Sequence, residues 1–156
     1  QASLPLLESS PIEIFVHRST ADFIAATGQS GWVGAVTRGR RIEIQPPLLL
    51  QQRRILTSTL RHELAHVALE TLGQGHTPRW LAEGLAIHFA GEGRALESVK
   101  LREPLSLNEL ERRLTRPANA TTTRELYARA YQEVRSLLRR EGEAAVWRRA
   151  AAKPQR

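Results

Sequence analysis

The chain has 156 residues, 41% apolar and 25% charged, enough for one hydrophobic core and short for two. No window carries the roughly eighteen uninterrupted apolar residues of a membrane span, so composition points to one soluble globular domain over residues 1–156. Cysteine is absent, which excludes disulfides and thiolate-ligated zinc, so any metal must rest on His, Asp or Glu.

The chain starts at Gln1 and has no methionine, from which we expect a product released from a signal peptide and exported, periplasmic or secreted. The net charge of +7 lies in the second part: residues 1–93 hold eight Lys or Arg against eight acids, residues 94–156 fifteen against eight. Such an excess suits a solvated helical face, or a polyanionic envelope component as partner. Residues 94–156 have one Trp, two Tyr and no Phe, too few aromatics for a nucleic-acid-binding stripe.

In chain order, the alternation in "IEIFVH", residues 12–17, predicts a strand. Ser19 or Thr20 then caps a short helix through "ADFIAAT" that closes at Gly28. "GWVGAVTRGRRIEIQPP" reads as a hairpin, with strands 32–37 and 41–45 around Gly39 and an end at Pro46 and Pro47. A small antiparallel sheet over about 12–46 follows from these strands. The period then becomes helical over about 49–72, with Leu60, Leu64, Val67 and Ala68 on one stripe and Gly73 at the end. Thr77 as N-cap and Pro78 in first position start a helix that runs to about Ala90 and stops at Gly91. Residues 92–120 read as mostly irregular, with a short helix in "LNELERRL"; a long amphipathic helix and a last short one complete the helical region of about 105–152. Leu126, Ala130, Val134 and Leu137 or Leu138 form the inward stripe of the long helix. The fold class is α+β, a sheet region followed by helices.

The predicted helix over 49–72 contains "HELAH". Residues four apart on a helix lie one above the other, so His62 and His66 share a face at the separation two imidazoles need to bind one zinc ion. Glu63 is turned about 100° from His62, beside the metal without ligating it, where it can take a proton from water. A third ligand is required. Leu69 and Leu72 exclude the metzincin pattern, and the single aspartate, Asp22, lies upstream. Glu83 stands in the apolar segment "PRWLAEGLAIHFA", where a carboxylate is costly unless paired or metal-bound. Gly84 and Ala86 would let its helix approach the first one closely. His76, in a loop, and His88, five residues after Glu83, are the competing candidates.

"HELAH", sixteen residues, then the Glu of "PRWLAEGLA" resembles the gluzincin metallopeptidases, the clan of thermolysin and aminopeptidase N, and is most similar to short bacterial peptidase MA-like domains. The resemblance covers most of residues 12–142. It implies a zincin-like fold and a zinc peptidase with His62, His66 and Glu83 on the metal and Glu63 as general base. It also implies a tyrosine that stabilises the oxyanion: Tyr127 matches the position best and Tyr131 second. Substrate would add as a strand along "GWVGAVT", nearest Gly34 and Ala35. Aminopeptidases of the clan place a glutamate after that stretch. None stands here and Glu43 is a poor substitute, which favours an endopeptidase. Thermolysin-like members carry an aspartate four residues after the third ligand, where this chain has Ile87, so the group orienting the histidines must come from elsewhere, such as a backbone carbonyl. Two other functions fit the same residues: a zinc-containing module that holds peptide without cutting it, and a basic polyanion-binding envelope protein with a structural zinc.

Overall fold

The computed structural model describes residues 10–116 and 119–152. The chain enters through strand β1 (Glu13–Val16) and helix α1 (Thr20–Thr27). Ser19, not Thr20, is the cap: its Oγ accepts the Asp22 N–H at 3.0 Å, while the Thr20 hydroxyl donates to Gln45 Oε1 at 2.7 Å. Gly28, at φ 71°, ends α1 in the left-handed conformation that glycine adopts without steric cost. A hairpin of β2 (Ala35–Arg38) and β3 (Arg41–Ile44) follows. The first arm starts three residues later than the predicted strand at Trp32, because the Gln45 side-chain amide engages the carbonyls of Gly31 and Val33 at 2.9 and 2.6 Å.

The sheet is mixed, with order β1-β3-β2. The hairpin is antiparallel as the turn at Gly39 implies, but β1 pairs parallel with β3, Ile14 opposite Ile42 and Val16 opposite Ile44. The wholly antiparallel sheet is thereby corrected. Alternation reports which face a side chain takes, not which strand lies beside it, and here the far arm of the hairpin sits next to β1.

The helix predicted over 49–72 is two: α2 (Pro47–Gln52) and α3 (Leu56–Gly73). Between them Arg54 takes φ 58°, Ile55 N–H donates to the Leu50 carbonyl at 2.9 Å, and Arg54 N–H to that of Gln51 at 2.9 Å. This is a Schellman closure, and Ile55 packs against buried Leu50 across it. Glycine usually marks such a stop; with arginine there the pattern gave no warning.

Next come α4 (Arg79–Ala90), α5 (Gly93–Leu96), α6 (Leu107–Thr115), α7 (Ala120–Glu141) and α8 (Glu143–Ala151). Thr77 does not cap α4. Its hydroxyl donates to the Ala150 carbonyl at 2.7 Å, and the first free N–H groups of α4, from Arg79 and Trp80, are taken by the Glu111 carboxylate at 2.8 and 3.0 Å. The helix begins after Pro78 rather than at it.

Helix α3 is packed on two sides. Val67 joins Ala35, Ile42, Ile44 and Leu50 under the sheet, while Ala68 and Leu69 meet Leu81 and Leu85 of α4, Val134 and Leu137 of α7, and Val146 and Trp147 of α8. Leu60 and Leu64 of the expected stripe are only half-buried, whereas His62 and Glu63 are buried. Helix α7 buries Leu126, Ala130, Val134 and Leu137 as its period predicts. Each large aliphatic side chain so buried stabilises by about 1.5–3 kcal/mol. Several basic side chains of the second part are ion-paired at the surface with acids of the same stretch, as in Arg113 with Glu103 and Glu109, Arg135 with Glu97, and Arg149 with Glu141, which leaves the excess of positive charge in place. Such pairs contribute about 0–1 kcal/mol each.

Gly84 serves a different neighbour from the one expected. A Cβ there would lie 2.4 Å from Val134 Cγ2 and 2.7 Å from the Ala130 carbonyl oxygen, so the small residue admits α7, and α4 is held between α3 and α7. Because a backbone oxygen cannot rotate away, Gly84→Ala is expected to destabilise the protein by about 1–3 kcal/mol, measured as a lowered midpoint of urea unfolding.

Candidate metal centre

Helices α3 and α4 face each other through polar groups at one level of an otherwise apolar interface. The Nε2 atoms of His62 and His66 are 3.1 Å apart, and Glu83 Oε2 is 3.4 Å from each. A tetrahedral ion with bonds of about 2.0–2.1 Å holds its donors about 3.3–3.4 Å apart, so the three atoms stand at coordinating separation. Among the described residues this is the one group of His, Asp or Glu side chains gathered closely enough to hold a metal ion. Glu83 Oε2 is buried and accepts no hydrogen bond, which is costly for a carboxylate unless a cation faces it.

The electrostatics agree. Burial would raise the Glu83 pKa, but the neighbouring His66 and His62 outweigh it and hold the carboxyl far below its ordinary range. Burial would likewise lower the His62 pKa, and the carboxylates of Glu83 and Glu92 lift it well above the ordinary imidazole value. The Glu92 contact is direct, with Oε2 2.9 Å from His62 Nδ1. Nδ1–H donating to a carboxylate leaves Nε2 for the metal and fixes the ring. For His62 the orienting group is therefore a carboxylate from beyond the end of α4, not a backbone carbonyl.

Glu63 is buried beside the three donors. The Thr37 hydroxyl donates to its Oε2 at 2.7 Å and also lies 3.2 Å from its backbone oxygen, which ties the helix to β2. Tyr127 comes from α7, its ring stacked 6.3 Å from that of His62. Burial, followed by the negative charges of Glu83 and Glu63, pushes the Tyr127 pKa well above the phenol value, so its hydroxyl keeps its proton and can donate. Tyr131 is elsewhere: it lies over Gly93, where a Cβ would come 2.1 Å from the ring. Of the competing histidines, His76 is exposed in its loop and His88 is 3.9 Å from Glu143.

A cavity of about 820 Å³ opens over these groups. Ala35, Val36 and Thr37 of the edge strand β2 form one wall, and Glu63, His66 and Glu70 of α3 and Tyr127 of α7 also line it. Gly34 is set back from this wall, its carbonyl accepting the Gln45 N–H at 3.0 Å, and Glu43 faces away toward His17 at 3.7 Å. Thr37 and Glu92 had no motif to mark them. They reach Glu63 and His62 from 26 and 30 residues away.

A model described as the SprT-like family matches residues 17–101, a stretch that holds β2, β3, α3, α4, all three donors, Glu63, Thr37 and Glu92. Tyr127 lies outside it. No curated protein and no solved structure matches the chain.

Since metal-free His62 is raised well above its ordinary pKa, it carries a proton at pH 7 that an incoming ion must displace. Glu83 is already ionised and has none to give. Calorimetric titration with a divalent ion in buffers of different ionisation enthalpy is expected to show proton release at pH 7. Affinity should fall as pH is lowered.

Proposed function

Because the chain belongs to the SprT-like family, whose fold is zincin-like and metalloprotease-related, we propose that it is a zinc-dependent peptidase of gluzincin type, cutting within peptide chains. The observation that carries this reading is Glu63. A second buried carboxylate stands beside the three donors without joining them, held by Thr37, where a purely structural ion would need no base.

Zinc on His62, His66 and Glu83 would supply Lewis acidity, polarising a peptide carbonyl and acidifying a water. Glu63 takes the proton of the attacking water and passes it to the leaving amine. The Tyr127 hydroxyl, kept protonated by burial and by the neighbouring carboxylates, donates to the oxyanion as the carbonyl becomes tetrahedral. Glu92 holds the His62 ring at its Nδ1, and the open edge of β2 offers backbone groups to an extended substrate. Endopeptidase action is favoured over aminopeptidase action because the acids nearest this strand are engaged: Glu43 with Arg41 and His17, Glu70 with the Gly39 N–H. No described helix is long and apolar enough to cross a membrane.

Glu63→Gln keeps the shape of the side chain and removes its basicity. The variant is expected to bind zinc with unchanged stoichiometry and to lose about 10²–10⁴-fold in kcat on a casein-type or fluorogenic peptide substrate. Equal hydrolysis by both proteins, or none by either when fully zinc-loaded, would overturn the peptidase reading.

A further inference from the structure

Nearly every charged side chain lining the cavity is engaged within the protein. Glu63 is held by Thr37 and Glu70 by the Gly39 N–H. Arg40 binds the carbonyls of Ser10 and Pro11 and the Thr71 hydroxyl, and His62, His66 and Glu83 face one another. Glu111 spends both oxygens on the backbone N–H groups of Arg79 and Trp80. The exception is Arg79. Its side chain lines the cavity and is exposed, and among the described residues its guanidinium has neither a hydrogen bond nor an ion pair.

Its place is set by the helix. Arg79 opens α4 one turn before Glu83, and side chains four apart lie on one face with Cβ atoms about 5–6 Å apart. Arg79 therefore lies on the face of α4 that carries Glu83, in a cavity lining it shares with Tyr127, close enough for its charge to act on the Tyr127 hydroxyl.

We propose that Arg79 is a specificity-determining residue that recognises a carboxylate of the bound peptide within a bond or two of the scissile position. This inference rests on the peptidase reading of the cavity. A guanidinium presents a planar fork of donors that matches a carboxylate bidentately, and such a charge-assisted pair is stronger than a neutral hydrogen bond. Two sources supply the same chemistry: an Asp or Glu side chain flanking the cut, or the terminal carboxylate of a peptide cut near its C-terminus.

The test uses peptides of one sequence in which Glu or Gln is scanned through the positions flanking the cut, each made with a free-acid and an amidated C-terminus. Their binding is measured to zinc-loaded Glu63→Gln protein and to the same protein carrying Arg79→Gln or Arg79→Lys. Their hydrolysis is measured with the wild-type and Arg79→Gln proteins. The parent is expected to prefer the carboxylate member of a pair by about 10-fold or more, the Gln variant to fall below about 3-fold, and the Lys variant to lie between. The Glu/Gln arm responds if a side chain is recognised, the acid/amide arm if the terminus is. A preference below about 3-fold in the parent, or one that survives Arg79→Gln, overturns the assignment. Carboxylate-selective binding that Arg79→Gln abolishes, without any hydrolysis by wild-type protein, defeats the peptidase reading and leaves Arg79 as the carboxylate-binding residue of a peptide site. Hydrolysis of all peptides without discrimination does the reverse.

Discussion

A carboxylate buried between two helices constrains the rest of this molecule. Glu83 sits at the α3–α4 interface with one oxygen that accepts no hydrogen bond, facing two imidazole nitrogens at 3.4 Å. An isolated ion so placed costs several kcal/mol, comparable with the burial of two or three of the aliphatic side chains around it. Leu81, Leu85 and Ile87 on the same helix are fully buried, so α4 cannot turn its carboxylate to solvent without exposing them. Positive charge must come to Glu83. Protons on the histidines provide it in part, and a divalent ion at equal distance from all three provides it more completely.

The surrounding architecture fixes this pairing. Helix α4 is clasped between α3 and α7, admitted on the α7 side by Gly84 and closed at its N-terminus by Glu111 of α6. The hairpin is fastened to α3 at two levels, Thr37 to Glu63 and the Gly39 N–H to Glu70. Sheet, motif helix and third-donor helix are thus registered by polar contacts that point into one cavity. Each donor side chain belongs to a helix whose apolar neighbours decide its rotation, and this is how a small core can hold three polar atoms within a few tenths of an ångström of coordinating geometry.

The sequence yields the centre itself more readily than its surroundings. His62, Glu63 and His66 are related by helical pitch alone, and Glu83 declares itself as a charge in an apolar helix, so both signals are local. Thr37 and Glu92 carry no such mark: their roles arise from contacts that only the packed chain creates, and each is an ordinary surface-type residue in its own segment. Period alone does not distinguish Tyr127 from Tyr131, since residues four apart share a face; in the fold Tyr131 packs over Gly93 and Tyr127 lines the cavity. The parallel pairing of β1 with β3 and the break at Arg54 are unmarked for a related reason. Alternation carries no strand direction, and a left-handed arginine lacks the glycine that usually signals a stop.

In the proposed centre, two imidazoles and one carboxylate of this chain hold a single zinc ion with a position left open for reaction. Zinc K-edge X-ray absorption on purified, zinc-reconstituted protein tests it most directly. Two imidazole nitrogens and one carboxylate oxygen at about 2.0–2.2 Å, completed by a light-atom solvent ligand, is the predicted shell, and Glu83→Ala should remove the carboxylate contribution. Binding of less than about half an equivalent of zinc, or a shell unchanged by loss of Glu83, would rule out a zinc centre on these three residues.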